Sequence, residues 1–386
     1  MTNSTPSKLT KEYVTSQHIK ANGIDTLIIS LNGEWKNLEW FSYFASLKQE
    51  AQESSLDVSG TIKTENLEEW SFRIKPNGSQ GFEWLLISND FTLRIGKWAT
   101  SKTRPNVMAE LRSEMLWRLG PQTSCSYITT MLEAMGLDIA VVKPSRVDFC
   151  LDILLTKSLW NKELIEYVVT RASERSLYMQ NAKQLKGLSI GKGDIMARLY
   201  DKALEIKQVS NKAWMYDVWG IDEIPQHKVM VRVEFQIRRA VLKDTHIETL
   251  SDLFEKQPKI WSYCTKEWLK FQDNVDAYRK KRKTLEWWKI IQDGYENAQG
   301  ATPAIREHIL KLNIEQLARQ AYGLILSIAA CHKEIKKEPL EKVELEDVLI
   351  IFLNCLTSMG KTPSEMNETI IQRRVKFKRL SQGTGE

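Results

Sequence analysis

The sequence predicts an α+β fold, in which an antiparallel sheet domain over residues 25–243 is followed by an all-helical domain over residues 244–378. Two observations support this prediction. Short β-prone runs separated by turn residues fill the first part of the chain. Long apolar patterns with a period near 3.6 residues fill the last third. Residues 1–24 and 379–386 are polar, and we expect them to be flexible ends.

Strands are predicted where β-prone runs lie between turn signals. Asn89-Asp90 is only two residues wide and predicts a tight hairpin between two such runs. A glycine turn at Gly191-Lys192-Gly193 separates two further runs. The predicted strands cover residues 26–31, 70–75, 84–88, 91–98, 107–111, 145–154, 186–190, 194–202 and 228–238.

Helices are predicted where apolar residues recur every three or four positions. The stripe at residues 128–135 has Ser124 as a candidate N-cap and Gly136 as a stop. Ser158 is the candidate cap of the next helix. In the last third, the pattern predicts helices over residues 244–257, 314–328, 343–356 and 364–374.

Length and composition exclude several classes of protein but do not identify one. At 386 residues the chain exceeds the usual single-domain size, which favours two domains. Its five cysteines lie far apart without a CxxC pair, so neither a disulfide framework nor a cysteine zinc site is indicated. No secretory leader or membrane-spanning run is evident, and we expect a cytoplasmic protein with no membrane partner.

Positive charge is concentrated in two runs near the end of the chain. The net charge of +6 fits a nucleic-acid binder and an ordinary enzyme about equally. The first run covers residues 279–283 and the second lies within residues 373–379. A solvated helix end explains either run alone. With Trp287 and Trp288 beside the first run, contact with a phosphate backbone and stacking on bases is the favoured interpretation.

Charged side chains share one face of three predicted strands. Because side chains alternate along a strand, every second residue points to the same face of the sheet. Charged residues on one face of three strands have two explanations: cross-strand ion pairs on a solvated face, or a site that processes phosphate. The three sets are Arg146, Asp148, Cys150 and Asp152; Arg198, Tyr200 and Lys202; and Arg232, Glu234, Gln236 and Arg238.

The second explanation has a definite chemistry. A phosphodiester is shielded by its own negative oxygens, so attack requires a metal ion or arginines to neutralise them. Asp148, Asp152 and Glu234 are oxygen ligands of the kind that Mg²⁺ or Mn²⁺ prefers. These three carboxylates are therefore the predicted metal ligands.

Tyr200 is the candidate nucleophile within this set. Arg198 and Lys202 flank it and could hold the non-bridging phosphate oxygens, and nearby cations would favour the phenolate. Tyr178 is the nearest rival, but no comparable array of carboxylates and arginines alternates around it. We therefore interpret Tyr178 as a structural residue.

Taken in order, these motifs resemble the replication initiation factor family. That family contains rolling-circle plasmid and phage initiators and related conjugative relaxases, and its nucleophilic tyrosine lies in an R-[IL]-Y-[DN]-K-x-x-E motif. The resemblance covers roughly residues 25–290 and includes the tryptophan pair. The motifs here are Arg146-x-Asp148-x-x-x-Asp152, Arg198-Leu199-Tyr200-Asp201-Lys202-x-x-Glu205 and Arg232-x-Glu234-x-x-x-Arg238-Arg239.

The resemblance implies a nicking reaction in which Tyr200 is the nucleophile. Within the family the flanking acidic motifs are associated with a divalent metal, and they correspond to Asp148 or Asp152 and to Glu234. Arg198 and Lys202 complete the predicted catalytic set. The residues assigned to DNA contact are Arg146, Arg232, Arg238, Arg239, Lys280, Lys281, Arg282, Lys283, Trp287 and Trp288.

The expected function is therefore that of a rolling-circle replication initiator. It would form a 5′-phosphotyrosine and release a 3′ hydroxyl, with Mg²⁺ or Mn²⁺ as cofactor. Origin DNA with an extruded single-stranded hairpin is the expected partner, and a host helicase and a second copy of the chain are further candidates. A conjugative relaxase with the same chemistry and a non-catalytic DNA-binding regulator are the alternatives.

Overall fold

The computed structural model describes residues 14–64, 67–180, 184–273, 282–295 and 345–358, together with Tyr322, Ile325, Leu326 and Ala329. By its internal contacts the chain divides into two units, Met1–Ala301 and Thr302–Glu386. The first unit contains a mixture of strands and helices, as the α+β prediction requires.

A large antiparallel sheet dominates the first unit. Within the described residues it has eleven strands in the order β2-β3-β4-β5-β6-β1-β7-β12-β11-β10-β9, and β8 pairs separately with β13. The strands are β1 (Ile19–Trp35), β2 (Val58–Thr64), β3 (Leu67–Ile74), β4 (Trp84–Ile87), β5 (Phe91–Ile95), β6 (Val107–Leu111), β7 (Leu137–Thr156), β8 (Val168–Thr170), β9 (Arg175–Gln180), β10 (Gln184–Ile190), β11 (Ile195–Asp201), β12 (Lys228–Arg238) and β13 (Leu269–Phe271).

Helices lie between the strands and follow them. Two π-helical turns, Ile206–Ser210 and Tyr263–Trp268, and two 3₁₀ turns, Ser16–His18 and Lys162–Tyr167, complete the described elements. The helices are α1 (Glu39–Ser54), α2 (Ser113–Leu119), α3 (Pro121–Ala134), α4 (Lys202–Glu205), α5 (Met215–Trp219), α6 (Arg239–Asp244), α7 (Leu250–Glu255), α8 (Gln257–Ser262), α9 (Glu286–Asp293) and α10 (Leu345–Ser358).

The long strands β1 and β7 join the two halves of the sheet. They pair from Ile19↔Ile153 to Trp35↔Leu137, and several bulges shift the register along the way. One bulge lies at Gly33, where an added Cβ would stand 2.0 Å from the carbonyl oxygen of Asp138. Only glycine allows so close an approach of the two backbones. The bulges also bend the pair, as bulges in antiparallel strands do.

The central strands have one apolar face and one charged face. Phe149 and Phe235 are fully buried, and Phe235 packs edge-on against Trp261 of α8. The indole N–H of Trp261 donates to the carbonyl oxygen of Ile291 at 2.8 Å, which links α8 to α9. Helices from the 250–293 region therefore cover the apolar face and leave the charged residues on the other.

The predicted strands are confirmed as elements of this sheet. The Asn89-Asp90 hairpin is also confirmed, since it joins β4 to β5. The sequence did not predict α1, β2 or β9.

Two predicted helix starts were wrong. α3 begins at Pro121, and Ser124 lies inside it with its hydroxyl donating to the carbonyl oxygen of Gly120 at 2.7 Å. Ser158 does not begin a helix, because the element that follows is the 3₁₀ turn Lys162–Tyr167. That turn is capped by Asn161, which accepts a hydrogen bond from the Glu163 amide.

The contact-based division of the chain falls later than residue 243. It follows Ala301, because the helices between residues 250 and 293 share their core with the sheet. In the second unit the described helix α10 agrees with the helix predicted over residues 343–356. The helix predicted over residues 364–374 lies outside the described residues, and an all-helical second domain stays a prediction. None of the helices in the described part of the chain combines the length and the apolar character needed to cross a membrane.

Candidate active site

The three strands that carry the charged residues are neighbours, as the sequence predicts. β12 lies between β7 and β11. Arg232 of β12 stands opposite Asp152 of β7 on one side and opposite Tyr200 of β11 on the other. Glu234 likewise lies between Cys150 and Arg198. Directly opposed residues project from the same face, so these side chains form one surface.

Tyr200, Glu234 and Arg198 make one hydrogen-bonded cluster on this surface. The Tyr200 hydroxyl donates to Oε2 of Glu234 at 2.9 Å. The guanidinium of Arg198 donates to Oε1 of the same carboxylate, also at 2.9 Å. A hydroxyl bonded to a base that a third group orients is the geometry of an activated nucleophile.

The pKa of Tyr200 is raised well above its usual value. Burial is the largest cause, and the negative charge of Glu234 adds to it. The expectation that neighbouring cations favour the phenolate was therefore wrong, because the charge closest to the hydroxyl is a carboxylate. Tyr200 stands as a neutral phenol, so it can attack only if its proton leaves during the attack.

The residues after Tyr200 anchor its strand to a short helix. Asp201 caps α4, and its carboxylate accepts a hydrogen bond from the Leu204 amide at 3.0 Å. Lys202 is buried, and its ammonium donates to Glu205 at 2.7 Å. The same ammonium lies 5.6 Å from the centre of the Tyr200 ring. Asp201, Lys202 and Glu205 of the motif thus fix the strand end, and Lys202 is engaged with Glu205 rather than exposed to a phosphate.

Asp152 and Arg232 form a buried ion pair instead of a ligand site. Both side chains are fully buried, and two guanidinium nitrogens bind the two carboxylate oxygens at 2.6 and 2.7 Å. The indole N–H of Trp219 donates to the same carboxylate at 2.8 Å. Asp152 as a metal ligand and Arg232 as a DNA contact were therefore wrong, because each already holds its partners beneath the surface.

Asp25 completes this buried group. Its carboxylate accepts a hydrogen bond from Arg232 at 2.6 Å. Burial raises the pKa of Asp25, but the charges of Arg232, Lys212 and Lys202 outweigh it and lower the pKa to about 2. The sequence reasoning missed Asp25, Lys212 and Trp219. An acidic residue inside the apolar run at residues 24–29 was the one available signal.

Asp148 is paired with Arg146 on the same strand. The guanidinium of Arg146 donates to both carboxylate oxygens, through Nε at 2.8 Å and through Nη2. Burial nevertheless raises the pKa of Asp148 to about 6; the Arg146 hydrogen bond opposes this, and the charge of Glu234 adds to it. Arg146 is 27% exposed, so it is the member of this pair that a ligand could reach.

The predicted metal ligands do not assemble as a set. Among the residues that the structure describes, no group of three or more histidine, cysteine or acidic side chains is placed to hold a metal ion. Asp148, Asp152 and Glu234 are instead each paired with a different arginine. A three-carboxylate metal site does not fit this arrangement.

The remaining predicted DNA contacts fall into three groups. Arg238 and Lys283 are exposed, and Arg282 is half-buried. Arg239 turns inward, where it donates to the carbonyl oxygen of Ile247 at 2.9 Å and to Glu248. Lys280 and Lys281 lie outside the described residues.

Trp287 and Trp288 are part of the hydrophobic core. They are 2% and 0% exposed, and both rings pack against Phe271. The indole N–H of Trp288 donates to the carbonyl oxygen of Thr265 at 3.0 Å. Their assignment as stacking platforms for bases was wrong, because the amphipathic helix α9 packs both rings against Phe271 in the core.

Fold and site together define an antiparallel-sheet protein with a tyrosine, a carboxylate and an arginine in contact on one face. No family model matches the chain, and none of the curated proteins matches it. Among solved structures it is similar to the rolling circle replication initiator protein from Geobacillus stearothermophilus, with 13% identity, coverage of 72% of this chain and 99% of that chain, and a TM-score of 0.39. At that level of similarity the match carries no argument about function.

Proposed function

We propose that this chain nicks one strand of DNA by transesterification at Tyr200, as a rolling-circle replication initiator does. The observation that carries the proposal is the contact of the Tyr200 hydroxyl with a carboxylate that Arg198 also binds. The ordered motifs around Tyr200, with their resemblance to the replication initiation factor family, supply the substrate class.

The reaction moves one proton and exchanges one phosphate ester for another. Glu234 takes the phenolic proton while the Tyr200 oxygen attacks the phosphorus. The bond from phosphorus to the 3′ oxygen breaks, and that oxygen takes a proton from solvent and leaves as a 3′ hydroxyl. The 5′ phosphate stays on Tyr200 as a phosphodiester, so attack by a 3′ hydroxyl can reverse the step.

Arg198 is the group best placed to neutralise the phosphate. Its side chain is 38% exposed, whereas the guanidinium of Arg232 is fully buried. Protonation of Glu234 during the attack would weaken its hold on Arg198. The guanidinium would then bind the phosphate oxygens as negative charge develops on them.

Dependence on Mg²⁺ or Mn²⁺ stays a prediction. A single exposed strand is the expected substrate, because stacked duplex would keep its phosphates away from a side chain on a sheet surface. Origin DNA with an extruded hairpin would present such a strand. A conjugative relaxase would use the same residues and differ in its partners.

A non-catalytic DNA-binding regulator is the second candidate. The observation that favours it is that Asp148, Asp152 and Glu234 are each held by an arginine. Such pairs stabilise a sheet face without any chemistry.

Detection of a covalent adduct separates the two candidates. The full chain would be incubated, with Mn²⁺ and separately with EDTA, with labelled supercoiled plasmid that carries the DNA flanking its own gene. An adduct that resists denaturant is expected with the natural sequence and with the control Tyr263→Phe, and is expected to be lost in Tyr200→Phe. Tight DNA binding without any adduct would reject the nicking reaction in favour of the regulator.

A further inference from the structure

We propose that Tyr178 is a stacking platform for one base of the single-stranded DNA that Tyr200 attacks, an inference that rests on the function proposed above. The strand register places the two tyrosines in one row. Tyr178 of β9 pairs with Gly187 of β10, and Gly187 pairs with Tyr200 of β11. Directly opposed residues of antiparallel strands share a face, so both rings rise from the surface that carries the candidate active site.

Gly187 keeps the space between the two tyrosines free of a side chain. Two strand spacings separate the backbones of residues 178 and 200, a distance of roughly 10 Å. A Cβ on Gly187 would lie 2.8 Å from the Leu199 carbonyl oxygen and 3.1 Å from the Tyr200 Cβ. Glycine at this position therefore also allows β10 to approach β11 beside the nucleophile.

In the neighbouring row of the same face, the side chains between the edge strand β9 and Arg198 are small. Ser176 pairs with Ser189, and Ser189 pairs with Arg198. No bulky residue in this row stands between β9 and Arg198. A nucleotide could therefore lie across the strands with its phosphate near Arg198 and Tyr200 and its base toward β9.

Tyr178 is accessible to such a base. Its side chain is 55% exposed. Within the described residues of the first unit, no other Phe, Tyr or Trp side chain is as exposed. It lies on β9, which is one of the two edge strands of the sheet. The tryptophans that the sequence offered for stacking are buried. Tyr178 instead offers an exposed ring in the same row as Tyr200.

An aromatic ring beside a cation suits single-stranded DNA in particular. Bases stack on exposed aromatic rings whatever their sequence, while cationic side chains follow the phosphates. Arg198 supplies that charge on the same face and is itself 38% exposed. A second copy of the chain added to the β9 edge would use backbone hydrogen bonds instead, and it would not require the register with Tyr200.

Binding of a labelled oligonucleotide tests the stacking role. The probe is fluorescein-labelled oligo(dT) of about 12 nucleotides, within the range of known site sizes. The full chain would carry Tyr200→Phe as its background, so that no covalent adduct contributes to the anisotropy. Tyr178→Ala is expected to weaken binding roughly 10-fold, as loss of one stacked base does. Tyr178→Phe keeps the ring and is expected to bind like the background protein.

Leu177→Ala is the matched control on the same strand. Leu177 is 37% exposed and points to the opposite face, so its truncation tests for general damage to β9. It is expected to leave the affinity within about 2-fold of the background protein. An oligonucleotide of abasic residues offers no base to stack, so it should bind the background protein as weakly as oligo(dT) binds Tyr178→Ala.

Three outcomes would overturn the stacking site. The first is unchanged affinity in Tyr178→Ala, and the second is an equal loss in Tyr178→Phe, which would assign the effect to the hydroxyl. The third is a change in oligomeric state by light scattering that accounts for the loss. The background protein cannot nick through Tyr200. Its affinity therefore reports on the stacking site alone. A dependence on Tyr178 in this background, together with no adduct from the natural sequence, would support the stacking site while rejecting the proposed reaction.

Discussion

The two arginine–carboxylate pairs at Asp152 and at Glu234 lie on adjacent strands and on the same face, yet their surroundings differ. Arg232 and Asp152 are both 0% exposed, whereas Arg198 is 38% exposed and Glu234 is 8% exposed. The first pair is enclosed by Trp219 and Asp25. The second touches a phenol instead. Similar residue pairs thus serve stability in one place and remain available for chemistry in the other.

Removal of each carboxylate is expected to separate these two roles most clearly. Asp152→Ala leaves the guanidinium of Arg232 buried with only Asp25 as an acidic partner, and loss of one partner of a buried pair costs about 3–5 kcal/mol. Glu234→Gln leaves Arg198 free to be solvated and should cost less than about 1 kcal/mol. Urea denaturation followed by circular dichroism measures both free energies of unfolding. Equal losses would contradict the distinction between a structural pair and an accessible one.

The same Glu234→Gln change is expected to act on the reaction. Glutamine can still accept a hydrogen bond from Tyr200, but it cannot take up the proton. Loss of a general base lowers rates by about 10²–10⁴-fold. Single-turnover formation of the covalent adduct measures this rate, with the free energy of unfolding as the control for folding. An adduct formed at the natural rate would exclude Glu234 as the proton acceptor.

The contribution of Asp148 to the stability of the fold is expected to depend on pH. Its pKa is raised by burial from 3.8 to about 6 in the folded chain. The unfolded chain therefore releases this proton at lower pH than the folded chain, so the contribution of Asp148 to stability is present below about pH 4 and is lost as pH rises through 6. A difference of this size corresponds to roughly 3 kcal/mol.

Asp148→Asn isolates that contribution, since asparagine resembles the protonated acid at every pH. The stability of the natural chain relative to this variant is expected to fall by roughly 3 kcal/mol between pH 3 and pH 7. Asp25 acts in the opposite direction: its pKa of about 2 stabilises the fold above pH 4, and this contribution is lost as pH falls through 2. Because Asp25 is present in both proteins, it cancels in the difference. Urea denaturation at several pH values measures the difference, and a pH-independent result would contradict the raised pKa of Asp148.

Much of the charged surface was predictable because strand alternation is a local property. The period-2 pattern assigned Asp148, Asp152, Tyr200 and Glu234 to a single face, and pairing of neighbouring strands brought them together. The pattern could not tell which carboxylate would be buried. Burial of Asp152 depends on Trp219, which is 67 positions away in the chain.

The sequence also predicted the exposure of the aromatic residues wrongly, because exposure depends on tertiary packing and strand order. Trp287 and Trp288 follow a basic run, which suggested an exposed binding surface. α9 is amphipathic, however, and its apolar side packs on Phe271, so position next to charge did not indicate exposure. No comparable array of carboxylates and arginines alternates around Tyr178, and it was interpreted as structural. Its exposure follows from the place of β9 at the end of the sheet, which only the strand order reveals.

The smallest expected effect concerns the indole that binds Asp152. Trp219→Phe removes the N–H that donates to this carboxylate at 2.8 Å, and a hydrogen bond to a charged group contributes about 2 kcal/mol. Trp117→Phe is the matched control, because Trp117 is also buried on this side of the sheet but its indole nitrogen has no hydrogen-bond partner among the described residues. Both changes remove the same ring volume, so the difference between their free energies of unfolding isolates the hydrogen bond. If the two variants lose equal stability, the Asp152–Arg232 pair does not need the indole, and the enclosure of that pair rests on Asp25 and burial alone.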